Sequence, residues 1–387
     1  MSGYDKDLNR WMPRLIAVWR KARKGPPGPP DRLTPQELRE VGAAVKRLSH
    51  GLTRERELAG AKYMDDPKLL GAYLLFYWPV SYAQGRQVMG ELVHRPRVAL
   101  DLGSGPGPLA FAALDAGASE VTAADRSKPA LELATKLAAE AEEALSVRQW
   151  DPLSPKQKAI PEGKYDLITF GHVLNELFGT DDAALRRRAD LLEEALSKLK
   201  PRGSVLIVEP ALRETSRALL KVRDVMVERG YGIRAPCMFR GNCPALIKES
   251  DWCHAERQWQ LPSVIEELAR TAGLHKEALK MSYLALAPKG DALPAPPAGR
   301  LFRIVSEPLE GKGRHRYMGC GAEGRVGLAM QEKHRTDSNA RFFRLQRGDV
   351  IRITETEEKG DGHALTERST VEVVAHAGQP VLPDDER

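Results

Sequence analysis

Cysteine is scarce in this chain, with four among 387 residues, too few for the disulfide framework of a secreted scaffold. No run of about 18 apolar residues occurs, so no ordinary membrane-spanning helix is expected. No internal repeat shows at solenoid spacing. The first residues, MSGYDKDLNRW, are charged where a signal segment would be apolar. The expectation is a soluble, cytoplasmic monomer with no membrane partner. In a reducing compartment, cysteines that group are metal or cluster ligands before they are disulfides. Three of the four do group.

What charge there is, is unevenly placed. The net charge is only +6, yet residues 1–24 carry seven Lys/Arg against two Asp, and residues 300–347 carry eleven against five acids. The last forty residues reverse the balance, with four basic and ten acidic side chains. Local positive density is what a phosphate backbone rewards, so the two basic zones suggest an anionic partner. A solvated surface accounts equally well for either zone alone.

Residues 1–95 read as a helical region. Leu15, Ile16, Val18 and Trp19 recur at helical spacing, and GPPGPP at residues 25–30 interrupts. Thr34, Pro35 and Glu37 predict a helix start with a capping box. The segment YMDDPKLLGAYLLFYWPVSY predicts a core helix lying over the next domain; a base-stacking surface is the less favoured use of Tyr73, Tyr77 and Trp78. From residue 96 to 290, strands alternate with helices: RVALDLG, VTAAD, SVRQWD, YDLITFG and SVLIVEP, then HKEALK and SYLALAP as a closing pair. Such alternation predicts a parallel sheet covered on both faces, an α/β fold. A Pro/Gly/Ala-rich linker follows at 291–299. Short strands separated by polar turns predict a small β-barrel over 300–378, with an acidic tail at 379–387.

Asp101-Leu-Gly103-Ser104-Gly105-Pro-Gly107 lies between a buried strand and a helix. Glycines there allow a tight turn and close approach of a ligand to the backbone. A lone glycine loop also suits a nicotinamide dinucleotide or a plain turn, but the third glycine falls one residue early for the dinucleotide fingerprint. Asp125 closes the next strand, where a carboxylate can accept from both hydroxyls of a ribose. Asp151, beside Trp150, closes the third and suits an adenine amine. In this segment the chain resembles the class I S-adenosylmethionine-dependent methyltransferases. That resemblance implies cofactor contacts from Asp101, Gly103, Ser104, Gly105, Gly107, Asp125, Arg126, Asp151 and His172. The fourth strand ends in Phe170-Gly-His172-Val-Leu-Asn175-Glu176, without the Asn/Asp-Pro-Pro-aromatic motif of amino-methylating relatives. His172, Asn175 and Glu176 are the catalytic candidates, and pocket lining or helix capping accounts for them equally well.

Cys237, Cys243 and Cys253 lie in an insert over 234–256 with the spacing C-x5-C-x9-C; Cys320 lies in the β-domain. Four thiolates can close a tetrahedral zinc site or hold a [4Fe-4S] cluster, and His254 keeps a Cys3His zinc site open. The CxxxCxxC spacing of radical enzymes is absent. Pro236-Cys237 resembles the Pro-Cys pair of RNA cytosine-5 methyltransferases but follows the fifth strand, where theirs follows the fourth. Taken together, YMDDPKLLGAYLLFYWPVSY, DLGSGPG, HVLNEL, IVEP and the cysteine set ending in DWCH resemble the methyltransferase-like proteins associated with the mitochondrial small ribosomal subunit and their bacterial relatives. The likeness spans roughly residues 50–355. It implies a class I Rossmann-like sheet with an N-terminal helical domain and a C-terminal barrel, a [4Fe-4S] cluster on the four cysteines, and S-adenosylmethionine. It also implies small-subunit ribosomal RNA, or the assembling small subunit, as partner. The expected function is ribosomal RNA methylation in ribosome assembly. The alternatives are a noncatalytic assembly factor and, less favoured, a small-molecule O-methyltransferase.

Overall fold

The computed structural model describes residues 3–154, 159–291 and 296–386, so the expected linker lies partly outside the described residues. Helices α1 (Gly3–Ala22) and α2 (Pro35–Ser49) open the chain. Helix α2 starts as its sequence predicts: Thr34 Oγ1 accepts from Glu37 N, and the Glu37 carboxylate accepts from Thr34 N at 2.8 Å. Helices α3 (Pro67–Ala72) and α4 (Trp78–Met89) carry the aromatic run, joined by the wider turn Tyr73–Tyr77.

The alternating region follows as β1 (Val98–Leu102), α5 (Pro108–Asp115), β2 (Glu120–Asp125), α6 (Lys128–Ala141), β3 (Leu145–Gln149), β4 (Tyr165–Gly171), α7 (Asp182–Ser197), β5 (Leu199–Pro210) and α8 (Arg213–Glu228). Then come β6 (Gly232–Ala235), β7 (Ala255–Gln258), α9 (Ser263–Ala272) and β8 (Ala278–Ala287). The sheet runs β3-β2-β1-β4-β5-β8-β6. Strands β1 to β5 are parallel, and β8 returns antiparallel to β5. Strand order reverses between β1 and β4, the point where open α/β sheets bind ligands beyond their carboxyl ends.

The end of the sheet differs from the sequence expectation. HKEALK and SYLALAP are not two strands, because β8 runs without a turn from Ala278 to Ala287. Its outer partners are two four-residue strands absent from the sequence reading. Strand β6 pairs with the end of β8, and β7 with its beginning. Residues 236–254, the cysteine insert, leave the sheet from the gap between them.

The helical region is not an appendage. Its apolar face and the α5–α6 side of the sheet share one core. Trp11, Trp78 and Phe111 pack at 4.9–5.8 Å between ring centroids, and Trp78 stacks on Tyr82 at 5.2 Å. Trp78 Nε1 donates to Pro106 O at 3.1 Å, holding the helix over the glycine loop. Tyr73 and Trp78 are buried as core residues, and Tyr77 is half-buried.

Strands β9 (Arg300–Ile304), β10 (Leu309–Gly311), β11 (Arg314–Gly321), β12 (Gly324–Gln331), β13 (Val350–Lys359) and β14 (Gly362–Ala375) form the second sheet. Its order is β10-β11-β12-β14-β13-β9, and a further β9–β11 pairing closes the barrel. Phe302, Tyr317, Leu328, Phe342 and Ile351 fill it. No helix among the described residues is long and apolar enough to cross a membrane.

The carboxylate of Asp115 accepts from Trp11 Nε1 at 2.8 Å and Tyr82 Oη at 2.5 Å and pairs with Arg10. Asp115→Ala leaves two buried donors without an acceptor and should cost about 2–4 kcal/mol. A urea unfolding curve measures this; an unchanged midpoint would show that the helical region docks without this contact.

Candidate functional site

The strand ends at the β1–β4 reversal open into a cavity of about 370 Å³. Gly103 enters from the loop after β1, Asp125 and Arg126 from the end of β2, and Gln149 to Asp151 from the end of β3. Gly171, His172, Val173 and Glu176 enter from the end of β4. Of the expected cofactor contacts, Gly103, Asp125, Arg126, Asp151 and His172 line this space.

The loop takes its shape from backbone that only glycine adopts without strain. Gly103 and Gly105 have φ of +68° and +52°. A Cβ on Gly103 would lie 2.4 Å from Val173, and one on Gly105 would lie 2.9 Å from the Met64 side chain. Asp125 fixes the loop from below, accepting from Gly105 N and Ser127 N, each at 2.8 Å. Asp101, Ser104, Gly105 and Gly107 are not among the residues that line the cavity. Asp101 is turned behind the loop, where it accepts from Thr169 Oγ1 at 2.6 Å and from Ala110 N at 3.0 Å. Burial pushes its carboxyl up to about 7. Asp101 therefore holds β1, β4 and α5 together and positions the loop.

The three catalytic candidates are placed differently. His172 has φ +59°, and its Nε2 meets Gln84 Oε1 at 2.8 Å. Gln84 Nε2 donates to Lys280 O at 2.9 Å, which orients the amide and assigns the imidazole proton to Nε2. Burial, and then Lys276, pushes His172 down to about 4, so the ring is neutral near pH 7. Glu176 lines the cavity, accepts from Gly60 N at 3.0 Å, and is pushed up to about 7 by burial. Asn175 instead faces the sheet. Its amide donates to Glu209 and to His172 O, its Oδ1 accepts from Arg56 at 2.6 Å, and its backbone N donates to Glu209 Oε1 at 3.0 Å. Glu209 is fully buried and pushed up to about 8 by burial.

The sequence reading missed the cover of the cavity. Residues Gly60 to Asp65, between α2 and α3, lie across it. Arg126 donates to Gly60 O and Ala61 O at 2.8 and 2.7 Å, and Ser127 Oγ donates to Asp65 at 2.9 Å. Nothing in GAKYMD carries periodicity; the signal was Arg126 itself, a cation directly after Asp125 at the end of β2.

A second cavity, of about 80 Å³, lies where the barrel meets the sheet edge. All four cysteines line it: Cys237, Cys243 and Cys253 from the insert and Cys320 from β11. Burial pushes Cys243, Cys253 and Cys320 up to about 12. Ser282 to Leu284 of β8, buried residues in the gap between the β6 and β7 pairings, also line it. Arg223, Arg257, Arg303, Arg325 and Arg347 also reach it, and no carboxylate does. His254 stacks on Trp252 at 4.0 Å and faces Arg347 and Glu256 through its two nitrogens. Among the described residues, no three His, Cys, Asp or Glu side chains form a group that could hold a metal ion.

The sequence model of the family described as mitochondrial small ribosomal subunit Rsm22 matches residues 70–362. The chain belongs to this family. No curated protein matches it. Among solved structures, this Rsm22-family chain is similar to ribosomal protein L11 methylase from Lactobacillus delbrueckii subsp. bulgaricus, at 18% identity over 55% of this chain and 78% of that one, TM-score 0.32. Magnesium protoporphyrin IX methyltransferase from Synechocystis is 12% identical over 64% and 97%, TM-score 0.35. A methyltransferase from Pyrococcus furiosus is 14% identical over 54% and 83%, TM-score 0.35. Likeness at this level concerns the fold alone.

The raised carboxyls give the Rsm22-family chain a defined pH dependence. Glu176, Glu209 and Asp101 keep protons in the folded state that the unfolded chain releases near pH 4 to 4.5. The folded state thus binds more protons, and stability falls as pH rises toward 8. His172 acts in the opposite sense only below about 6.5. Thermal unfolding should therefore show a falling midpoint between pH 6.5 and 8, with a shallower fall in Glu176→Gln. An equal slope in the variant would place the Glu176 titration elsewhere.

Proposed function

We propose that this chain binds S-adenosylmethionine at the β1–β4 cavity and methylates small-subunit ribosomal RNA during ribosome assembly in the cytoplasm. The observation that carries the reading is the pair Asp125 and Asp151 at successive strand ends beside the glycine loop. One carboxylate suits a ribose diol and the other an adenine amine. The sulfonium methyl group supplies the electrophile, and transfer needs in-line placement more than acid–base help. A neutral His172 with its unprotonated Nδ1 and a Glu176 that titrates near neutrality can orient an acceptor or take its proton at the cavity wall. The segment Gly60 to Asp65 would exclude water from the transfer.

The four cysteines support a [4Fe-4S] cluster better than zinc. Four Zn–S bonds of 2.3 Å draw the sulfurs to about 3.8 Å from one another. A cube-shaped cluster takes one thiolate at each iron and leaves them spread around it, and here all four thiols line one cavity. The five arginines fit an anionic occupant. Three ligands would come from the insert and one from the barrel, so the cluster would staple the two units and fix the basic barrel as an RNA-binding surface.

A noncatalytic assembly factor on the same fold is the second reading, favoured by one observation: Asn175, at the usual catalytic strand end, is turned away from the cavity and held by Glu209 and Arg56. Labelled methyl donor with purified small-subunit RNA or immature particles separates the two, with Asp125→Ala as control. Methyl incorporation that the control abolishes supports the enzyme; donor binding without incorporation supports the platform. Cys320→Ser should remove the brown chromophore and weaken RNA binding while S-adenosylmethionine binding survives in calorimetry. Unchanged RNA affinity in a cluster-free protein would overturn the staple.

A further inference from the structure

The second cavity has a layered charge arrangement that the thiols alone do not require. Its inner wall carries five guanidinium groups and no carboxylate. The acids stand one step further out: Asp251 pairs with Arg325, Asp224 with Arg223, and Glu256 with Arg347 at 3.6 Å. Glu91 faces Arg303 at 3.1 Å and Arg257 at 3.6 Å. Each pair thus turns its positive end inward. Four of the five arginines, all but Arg325, keep a buried Nε with no hydrogen-bond partner among the described residues. Buried donors are rarely left so without an occupant to accept from them.

Strand register sharpens the point. Cys320 stands opposite Arg303 on β9 and opposite Arg325 on β12. The one cysteine supplied by the barrel is thus flanked on both neighbouring strands by a cation that reaches the same cavity. Three of the five arginines come from the barrel and two from the sheet unit, and the barrel's three are each paired with an acid from the rest of the chain, Arg325 with Asp251, Arg347 with Glu256 and Arg303 with Glu91, so the ion pairs that join the units also hold the guanidinium groups at the cavity wall.

The geometry points to the arginines as a charge-compensating cage for an anionic iron–sulfur cluster, raising its reduction potential. The inference rests on the cluster reading above. With its four thiolates the oxidised cluster is an anion, and one-electron reduction adds a further negative charge without forming or breaking a bond. Surrounding cations stabilise the reduced form more than the oxidised one, and N–H donors to sulfur act in the same sense.

The test is a dithionite titration of the anaerobically purified full chain, followed by electron paramagnetic resonance, with iron and sulfide measured on every sample. Arg325→Gln should move the midpoint to a more negative potential, and Arg325→Lys should return it toward wild type. Asp251→Asn, which removes the outer counter-charge, should move it the other way. A purely structural role would not produce opposite signs. An unmoved midpoint in Arg325→Gln, or a shift of the same sign in Asp251→Asn, overturns the cage. If Arg325→Gln does not load, Arg347→Gln and Arg347→Lys serve in its place; loss of cluster in the Gln variants with retention in the Lys variants supports a charge role, and loss in both overturns it. Wild-type protein with neither iron nor sulfide would fail the cluster reading itself.

Discussion

One buried carboxylate joins the three parts of this protein. Glu91, just beyond the end of α4, has a side chain only 2% exposed. Its Oε1 accepts from Tyr283 of β8 at 2.7 Å and from Gly378 N, past the last barrel strand, at 3.3 Å. Its Oε2 faces Arg303 of β9. A carboxylate this deep persists only if cations and donors surround it, and here they arrive from the sheet, the barrel and the segment after the barrel. The helical region thereby sets where the barrel can sit, and the cysteine cavity forms in the space that placement leaves at the sheet edge.

The same economy governs the first cavity. Strands β1 to β4 provide the ends that any fold of this class provides, but residues 60–65 come from the helical region and close over them. Arg126 is the link, since it follows Asp125 in sequence and donates to the backbone of the cover. The helical region thus contributes a wall to the site as well as a share of the core.

Much of this was legible in the sequence because it rests on local rules. The glycine loop, the acids at the strand ends and the α2 capping box are each read within a few residues. The cysteines could be grouped because thiols are rare and three fall within one insert. What escaped was whatever depends on tertiary pairing. Strand β7 is Ala-Glu-Arg-Gln, with nothing in it that asks for a sheet, and it exists because the beginning of β8 needs a partner. A single long β8 was divided in two, whereas Lys280 continues the strand as an exposed residue opposite Glu256 of β7. Glu209 drew no separate notice within SVLIVEP, because its bond to Asn175 spans 34 residues. Arg303, Arg325 and Arg347 were counted only within the basic zone of residues 300–347, and Arg223 and Arg257 in neither zone, because composition does not say which way a cation points.

The pairing that closes the barrel, β9 with β11, is made through Ile304, Arg303 and Phe302 opposite Gly319, Cys320 and Gly321. The fourth thiol thus lies in the seam itself. During synthesis the chain presents three cysteines long before the fourth, and the fourth takes its place only when that seam zips. Barrel closure is what brings Cys320 to the cavity that the other three thiols line, so on the proposed reading an unfinished or misfolded barrel would offer at most three of the four thiols, and cluster loading would act as a readout of whether the last third of the chain has folded.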